Sequence, residues 1–280
     1  MRLSIKILVF MLLIFSACEK HEEVLPIPLP PAQNPEPVTQ EGITEEEAEE
    51  AEPPLDLESE SYQYGSFRNM PYRILLPRNY DSTRSYPLHV FLHGIGERGV
   101  DNERQLSVGS LSFQADSIRE KYPSFIIFPQ CPDTHYWFSE PITTKLKALL
   151  VMIEEKYPVN EGRISIGGYS MGAYGTFAMT AQNPGFFDAA VAISGDGDEE
   201  KAPLMSSPRW QIFAGQKDDV VPSSRTQRIA TALTKAGASV VFTLYPHADH
   251  SNTWMNAFSE PDFFNRLFET GQPAASADPK

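Results

Sequence analysis

Three short segments of the chain carry residue types that suit covalent catalysis. Ser170 lies in GGYSMGAYG, Asp218 and Asp219 lie in AGQKDDVVP, and two histidines lie in YPHADHSNTW. A serine hydroxyl is a poor nucleophile near neutral pH, so it needs a base, and the base needs an acid to orient it. The order serine, acid, histidine predicts Ser170 as the nucleophile, with the acid and the base following it in the chain.

The serine lies in a motif that predicts its conformation. Gly168 to Gly172 read GYSMG, which fits G-x-S-x-G between an apolar run and a helix rich in small residues. At such a junction the chain turns sharply, and the two glycines remove side chains that would clash. A tightly packed glycine turn without chemistry is the alternative reading of the same motif.

The histidine segment also suggests a metal site. His247, Asp249 and His250 offer two imidazoles and a carboxylate, which are good zinc ligands. No third ligand segment of suitable spacing accompanies them, and a metal site would leave Ser170 unexplained. We therefore expect no metal and no cofactor, with one histidine as the base and Asp249 pointing away from it.

Short apolar runs alternate with helical patterns and would position these residues. Runs such as YPLHVFLHG, SFIIFPQ, RISIGGYS and RWQIFAG are rich in Val, Ile and Phe, as buried strands are. Helical patterns between them predict an α/β fold with a mostly parallel central sheet and helices on both faces. Only SFRN separates the first two strands, which predicts an antiparallel hairpin at one edge. The connection between ISGDGDE and RWQIFAG is too short for a large lid.

Five segments together resemble a known family. FLHGIGERGVDNE, PQCP with its following tryptophan, GGYSMGAYGTF, AGQKDDVVP and YPHADHSNTW are similar to motifs of the α/β-hydrolase superfamily. More narrowly, they resemble single-domain carboxylesterases and "predicted peptidases" related to feruloyl esterases, acetyl-xylan esterases and polyhydroxybutyrate depolymerases. The resemblance implies Asp218 as the acid, with Asp219 as the alternative, and His250 as the base, leaving His247 in the loop.

The mechanism also needs donors for a developing oxyanion, which typically contribute a few kcal/mol each. We expect the backbone N–H of Met171 and that of Ile95, with Gly94 or Gly96 as alternatives to Ile95. The resemblance gives His93 a structural role in the same loop.

Four further residues are predicted to bind substrate. Gln130, Tyr136 and Trp137 follow a strand end, and Trp254 follows the base. Aromatic side chains there would suit an apolar or aryl acyl group, while Trp137 has the alternative of an ordinary core residue. The resemblance implies acetyl or feruloyl esters on plant polysaccharides as substrates.

The ends of the chain differ in composition from its centre. Arg2 and Lys6 precede an apolar run, and the small residues before Cys18 resemble a bacterial lipoprotein box. Fourteen acidic residues and one lysine lie between 19 and 60, in a proline-rich stretch that is too polar to fold. The predicted organisation is a signal peptide (1–18) ending at a lipidated Cys18, an acidic disordered tether (19–60), a catalytic domain (61–270) and a disordered tail (271–280).

These features predict a lipid-anchored protein of the bacterial cell envelope that acts on an ester substrate. The chain contains no basic patch with interleaved aromatics, which argues against a nucleic-acid partner. Two other functions remain open from the sequence: a serine peptidase with the same triad, and a non-catalytic surface lipoprotein that binds glycans.

Overall fold

The computed structural model describes residues 55–57 and 59–269. The predicted signal peptide with Cys18, most of the tether and the C-terminal tail lie outside the described residues. Among residues 55–57 and 59–269, no helix combines the length and the apolar composition needed to cross a bilayer.

One sheet of eight strands organises the described residues, in the order β1-β2-β4-β3-β5-β6-β7-β8. The strands are β1 (Gln63–Phe67), β2 (Met70–Leu75), β3 (Tyr86–Leu92), β4 (Phe125–Pro129), β5 (Val159–Tyr169), β6 (Ala189–Ile193), β7 (Arg209–Gly215) and β8 (Val240–Tyr245). The helices are α1 (Ser110–Gln114), α2 (Asp116–Lys121), α3 (Glu140–Lys156), α4 (Met171–Gln182), α5 (Ser223–Lys235), α6 (Thr253–Phe258) and α7 (Phe263–Phe268), with short 3-10 helices at Ile95–Glu97, Arg104–Leu106 and Glu199–Met205.

The predicted edge hairpin is present. β1 pairs antiparallel with β2, and β2 pairs antiparallel with β4, whereas the other pairs of neighbouring strands are parallel. The turn of the hairpin is Arg68-Asn69, and both residues have positive φ angles, of 47° and 59°. Positive φ at both central residues matches the right-handed twist of the two strands. The predicted fold class is therefore confirmed.

Helices cover both faces of the sheet. Successive strand side chains point to opposite faces, so the apolar strands present an apolar surface on each side. In β4, Phe125 and Ile127 pack into one core with residues of α3, α4 and α5. Ile126 and Phe128 pack into the other core, with residues of α1, α6 and α7. Strands that are buried on both faces need nearly continuous apolar runs, which explains the sequences YPLHVFL of β3 and FIIFP of β4.

The carboxyl ends of the parallel strands form one edge of the sheet. β5 lies between β3 and β6, and its Gly168 is in register with Leu92 of β3 and Ala192 of β6. The connection from β6 to β7 contains only the 3-10 helix Glu199–Met205, which leaves no room for a lid there. The loops after β3, β5, β7 and β8 meet at this edge, where ligands bind in open α/β sheets.

Candidate active site

Ser170 occupies a strained turn between β5 and α4. Its backbone has φ 54° and ψ −118°, the conformation of the first central residue of a type II′ turn, which glycine dominates. The N–H of Ser170 donates to the carbonyl of Ile193 at 2.9 Å, which fixes the turn against β6. Ser170 is also the N-cap of α4, so its hydroxyl lies at the positive end of the helix dipole.

The two glycines of the motif are required by close backbone contacts. A Cβ on Gly168 would lie 2.3 Å from the carbonyl carbon of Gly172, and a Cβ on Gly172 would lie 1.9 Å from the carbonyl oxygen of Leu92. Any side chain at these positions would push α4 away from β5 or from the end of β3. The close approach also brings the loop after β3 beside Ser170.

His250 bridges the serine and the aspartate. It lies in the loop between β8 and α6, with Nε2 2.9 Å from Ser170 Oγ and Nδ1 2.8 Å from Asp218 Oδ2. The hydroxyl of Tyr169 donates to the backbone carbonyl of His250 at 2.8 Å, and the two rings lie 5.2 Å apart. The imidazole therefore has contacts on both ring nitrogens and a support for its backbone.

Asp218 follows β7 and is held by the backbone of its own loop. Its side chain is 1% exposed, and its Oδ1 accepts from the N–H groups of Val220 and Val221 at 3.0 and 2.7 Å. Burial alone would raise the pKa of Asp218. The hydrogen bonds from His250 and Val221 outweigh it and hold that pKa below its usual value. Asp219 is exposed, so the structure brings Asp218, and not its neighbour, to the histidine.

The hydrogen bonds assign the roles of the two imidazole nitrogens. An ionised carboxylate only accepts, so Nδ1 carries the proton that it donates to Asp218. Nε2 is then free to accept the proton of Ser170 Oγ. This is the tautomer that a general base needs in order to activate a serine.

The two predicted oxyanion donors each lie at the first position of a helix. Met171 is the first residue of α4, and Ile95 is the first residue of the 3-10 helix after β3. The first N–H groups of a helix have no partner within the helix, so both amides are suited to donate a hydrogen bond to a ligand oxygen. Ile95 is half exposed, and its role as a donor remains a prediction.

His93 holds the loop after β3, in agreement with its expected structural role. Its Nε2 accepts from the N–H of Cys131 at 3.0 Å, so Nδ1 is protonated and donates to the Gly94 carbonyl at 2.6 Å. Trp137 donates from its indole to the His93 carbonyl at 3.0 Å. Burial lowers the pKa of His93 to about 4, which keeps the ring neutral in this role.

Gln130 and Trp137, which the sequence placed in the substrate pocket, are fully buried. Gln130 donates to the Glu97 carbonyl and to Asp101, both at 3.1 Å, and accepts from the N–H of Asn102 at 2.7 Å. These contacts correct the prediction, because both side chains hydrogen-bond to neighbouring loops and present no surface to a substrate. The loop follows no regular period, so the sequence could not show which side chains point inward.

The other two predicted pocket residues have surface exposure. Tyr136 is 39% exposed and stacks on Phe138, with ring centroids 5.2 Å apart. Trp254, on α6, is partly buried and packs edge-on against Phe258 at 6.4 Å. Tyr136 is thus available to a ligand, while Trp254 supports the α6 side of the second core.

The histidine segment separates into different roles. His247 is exposed, and the carboxylate of Asp249 accepts from the hydroxyl of Ser251 at 2.7 Å and the N–H of Asn252 at 3.1 Å. Asp249 thus shapes its own loop. No cluster of three or more His, Cys, Asp or Glu side chains that could hold a metal ion occurs in the part of the chain that the structure describes.

Sequence reasoning missed Ser194, at the end of β6. This residue is fully buried with φ 51°, and its N–H donates to the Phe213 carbonyl of β7 at 2.9 Å. Its hydroxyl makes no hydrogen bond of normal geometry in the described residues, yet it lies near enough to Asp218 to help lower the pKa of that carboxyl. The serine-glycine pair at a strand end was the only signal of this position.

Comparisons with known proteins relate part of the chain to a hydrolase family. Residues 133–260 match the model of the dienelactone hydrolase family. A comparison with curated proteins gives no match.

Solved structures supply the remaining similarity. The chain is similar to a thermostable esterase, with 29% identity and a TM-score of 0.68, over 74% of this chain and 62% of that one. It thus spans less than two thirds of that esterase. A ferulic acid esterase from Anaeromyces mucronatus, solved with ferulic acid, shares 16% identity and a TM-score of 0.58, over 74% of this chain and 89% of that one.

A peptidase has the same fold. Dipeptidyl peptidase 4 of Porphyromonas gingivalis shares 17% identity and a TM-score of 0.57, over 74% of this chain and 35% of that one. At these identities, the ferulic acid esterase and the peptidase show the fold alone. Residues 133–260 thus form a domain of the dienelactone hydrolase family, which is of the α/β-hydrolase type, in a chain whose fold is similar to that of the thermostable esterase.

Proposed function

We propose that this protein is a serine carboxylesterase that works through an acyl-enzyme. The observation that carries the proposal is the position of His250, which contacts Ser170 Oγ at 2.9 Å and Asp218 Oδ2 at 2.8 Å. Those distances are within the reach that proton transfer between a nucleophile and its base requires.

The reaction proceeds in two halves. Ser170 Oγ attacks the ester carbonyl while His250 Nε2 takes its proton, and the amides of Met171 and Ile95 stabilise the oxyanion. His250 then gives the proton to the leaving alcohol, and the acyl group remains on Ser170. Water, deprotonated by His250, attacks the acyl carbonyl, and the acid leaves as Ser170 recovers its proton.

The substrate class that we propose is acetyl or feruloyl esters on plant polysaccharides. The motif resemblance to feruloyl and acetyl-xylan esterases supports this choice, and so does the fold shared with a ferulic acid esterase. The carboxyl edge of the sheet, where the β6–β7 connection leaves no room for a lid, suits a bulky or chain-like substrate.

The test compares three substrates and one variant. Purified protein and its Ser170→Ala variant are assayed on acetylated xylo-oligosaccharide, methyl ferulate and a peptidyl anilide, with a fluorophosphonate as an active-site label. We expect ester cleavage and labelling of Ser170, both lost in the variant. Faster cleavage of the anilide would make the protein a peptidase. Absence of both turnover and labelling would favour a glycan-binding protein without catalysis.

We also propose that Cys18 carries a lipid that anchors the protein in the bacterial cell envelope. The support is the apolar leader with small residues before a cysteine, followed by the acidic stretch. Labelled palmitate should enter the wild type and not a Cys18→Ser variant. A wild-type protein without label would refute the anchor.

A further inference from the structure

Three aromatic rings form a row on the surface next to Ser170. Tyr136 and Phe138 are each 39% exposed and are stacked, with an interplanar angle of 18° and ring centroids 5.2 Å apart. Phe138 in turn lies 6.1 Å from the ring of Tyr174 on α4. We call Tyr136, Phe138 and Tyr174 the aromatic row. Exposed aromatic rings in contact with one another are unusual on a surface that has no partner, and they often mark a binding site.

The row begins one helical turn after the nucleophile. The N–H of Tyr174 donates to the carbonyl of Ser170 at 3.2 Å, which joins the first turn of α4 to the backbone of the nucleophile. From Tyr174 the row continues through Phe138 to Tyr136. A ligand on the row can therefore be continuous with a group that reacts at Ser170.

The outer end of the row is held rigidly. Trp137, between the two exposed rings, is fully buried and donates to the His93 carbonyl at 3.0 Å. Arg98 donates to the carbonyls of Asp133 and His135 at 2.7 and 3.2 Å, and its guanidinium lies 5.1 Å from the ring centroid of Tyr136. A ligand would not have to order these rings, so their surface is already organised for binding.

Polar side chains lie at the inner end of the row. Asp196, just after β6, and Arg225, in the first turn of α5, lie close enough to Tyr174 to affect the pKa of its hydroxyl. Both side chains are partly exposed. The row thus offers apolar ring faces next to two polar groups. The carboxylate of Asp196 can accept a hydrogen bond from a ligand hydroxyl, and the guanidinium of Arg225 can donate one.

This combination fits a sugar ring, which has apolar C–H faces and a rim of hydroxyls. We propose that the aromatic row binds the glycan portion of the substrate, on the alcohol side of the scissile ester, as a neutral chain of pyranose rings. The inference rests on the proposed esterase function and assigns a place to its leaving group. A nucleic acid, which also stacks on aromatics, fits less well, because residues 61–280 carry 23 acidic against 20 basic side chains.

The kinetic test separates the sugar from the acyl group. Tyr136→Ala and Phe138→Ala are assayed on acetylated xylo-oligosaccharide and on p-nitrophenyl acetate, which has the same acyl group and no sugar. Since an aromatic contact contributes about 0.5 to 1.5 kcal/mol, each variant should raise KM for the oligosaccharide by roughly 2- to 13-fold and leave kcat unchanged. KM for p-nitrophenyl acetate should not change. Tyr64→Ala, at a tyrosine that is 54% exposed on β1, is the control and should behave as the wild type.

Other kinetic outcomes overturn the proposal. Equal changes of KM on both substrates would place the row on the acyl side or in the folding of the site. A change on methyl ferulate without a change on the oligosaccharide would assign the row to an aryl acyl group. No change on any substrate would mean that nothing binds there.

A binding measurement keeps the proposal separate from the esterase activity. The Ser170→Ala protein is titrated with unesterified xylo-oligosaccharide by calorimetry, in the presence and absence of Phe138→Ala. Saturable binding that weakens with the second substitution supports the aromatic row even if no ester is cleaved. Absence of binding overturns the row, while ester hydrolysis by the wild type would leave the proposed function standing.

Discussion

The backbone of Ser170 predicts that replacing this residue by glycine stabilises the fold. With φ 54° and ψ −118°, the residue occupies a region that glycine enters readily and other residues avoid. Such strain costs about 1 to 3 kcal/mol and persists only when the surrounding structure enforces it. Here the enforcing contacts are the hydrogen bond to Ile193 and the close packing of Gly172 against Leu92.

The expected magnitude follows from two opposing effects. Glycine relieves the strain, but it also increases the entropy of the unfolded chain, which costs about 0.5 to 1 kcal/mol. The net gain of Ser170→Gly over Ser170→Ala should therefore be about 0.5 to 2 kcal/mol. For a domain of this size, that corresponds to a rise in Tm of roughly 1 to 8 °C.

Alanine is the matched reference because both variants lose the hydrogen bond to His250, and alanine keeps the Cβ. Urea unfolding followed by circular dichroism gives the free energy of each variant. The same pair of substitutions at Ser224, an exposed residue in α5, should have the opposite sign, with glycine less stable by about 0.5 to 1 kcal/mol. If Ser170→Gly is no more stable than Ser170→Ala, the turn is not strained and the reasoning fails.

Three further predictions concern the acid of the triad and two buried residues. Asp218→Asn should lower kcat on the order of 10³- to 10⁴-fold with KM little changed, because the asparagine oxygen keeps the N–H groups of Val220 and Val221 and its NH2 then donates to Nδ1, which imposes the wrong tautomer. Asp219→Asn should retain activity, and equal losses would contradict the assignment. Ser194→Ala should lower kcat several-fold without lowering Tm, because the hydroxyl helps to keep Asp218 ionised and makes no other hydrogen bond in the described residues. A fall in Tm with unchanged kcat would make its role structural. Burial lowers the pKa of His89 to about 3, from 6.5, so the unfolded chain binds the extra proton as pH falls through 6.5 and stability is lost. Between pH 7.5 and 5 the wild type should lose about 2 kcal/mol more than His89→Phe, measured by urea unfolding, and equal losses would show that His89 is accessible to protons.

The sequence predicted the strands and the ends of the loops well, because those signals are local. Apolar runs end at glycine, proline or asparagine, and the G-x-S-x-G motif needs a strand before it and a helix after it. The positions of Ser170 and His250 follow from these junctions and from the order of the three groups. The neighbour relations of the strands have no such signal: β4 lies between β2 and β3, which depends on contacts between distant segments.

Side-chain orientation in irregular loops was the harder part. Tyr136, Trp137 and Phe138 are consecutive aromatics, and nothing in their types says that the middle one is buried and the outer two are exposed. The structure explains it by the indole bond to His93, which joins two loops 44 residues apart. The positive φ of Ser194 was equally hidden, since serine has no preference for that conformation.

The buried thiol of Cys131 can report local opening of the structure around it. It is the one cysteine of the described residues, it is fully buried, and burial raises its pKa to about 12. A thiol that stays protonated and covered reacts slowly with alkylating reagents. Because its backbone N–H bonds to His93 beneath the loop that carries Ile95, the rate of Cys131 alkylation would measure how often that loop and the strand end below it separate. A time course of Cys131 alkylation followed by mass spectrometry would thus give the local stability around Cys131 and His93, and it needs no substrate.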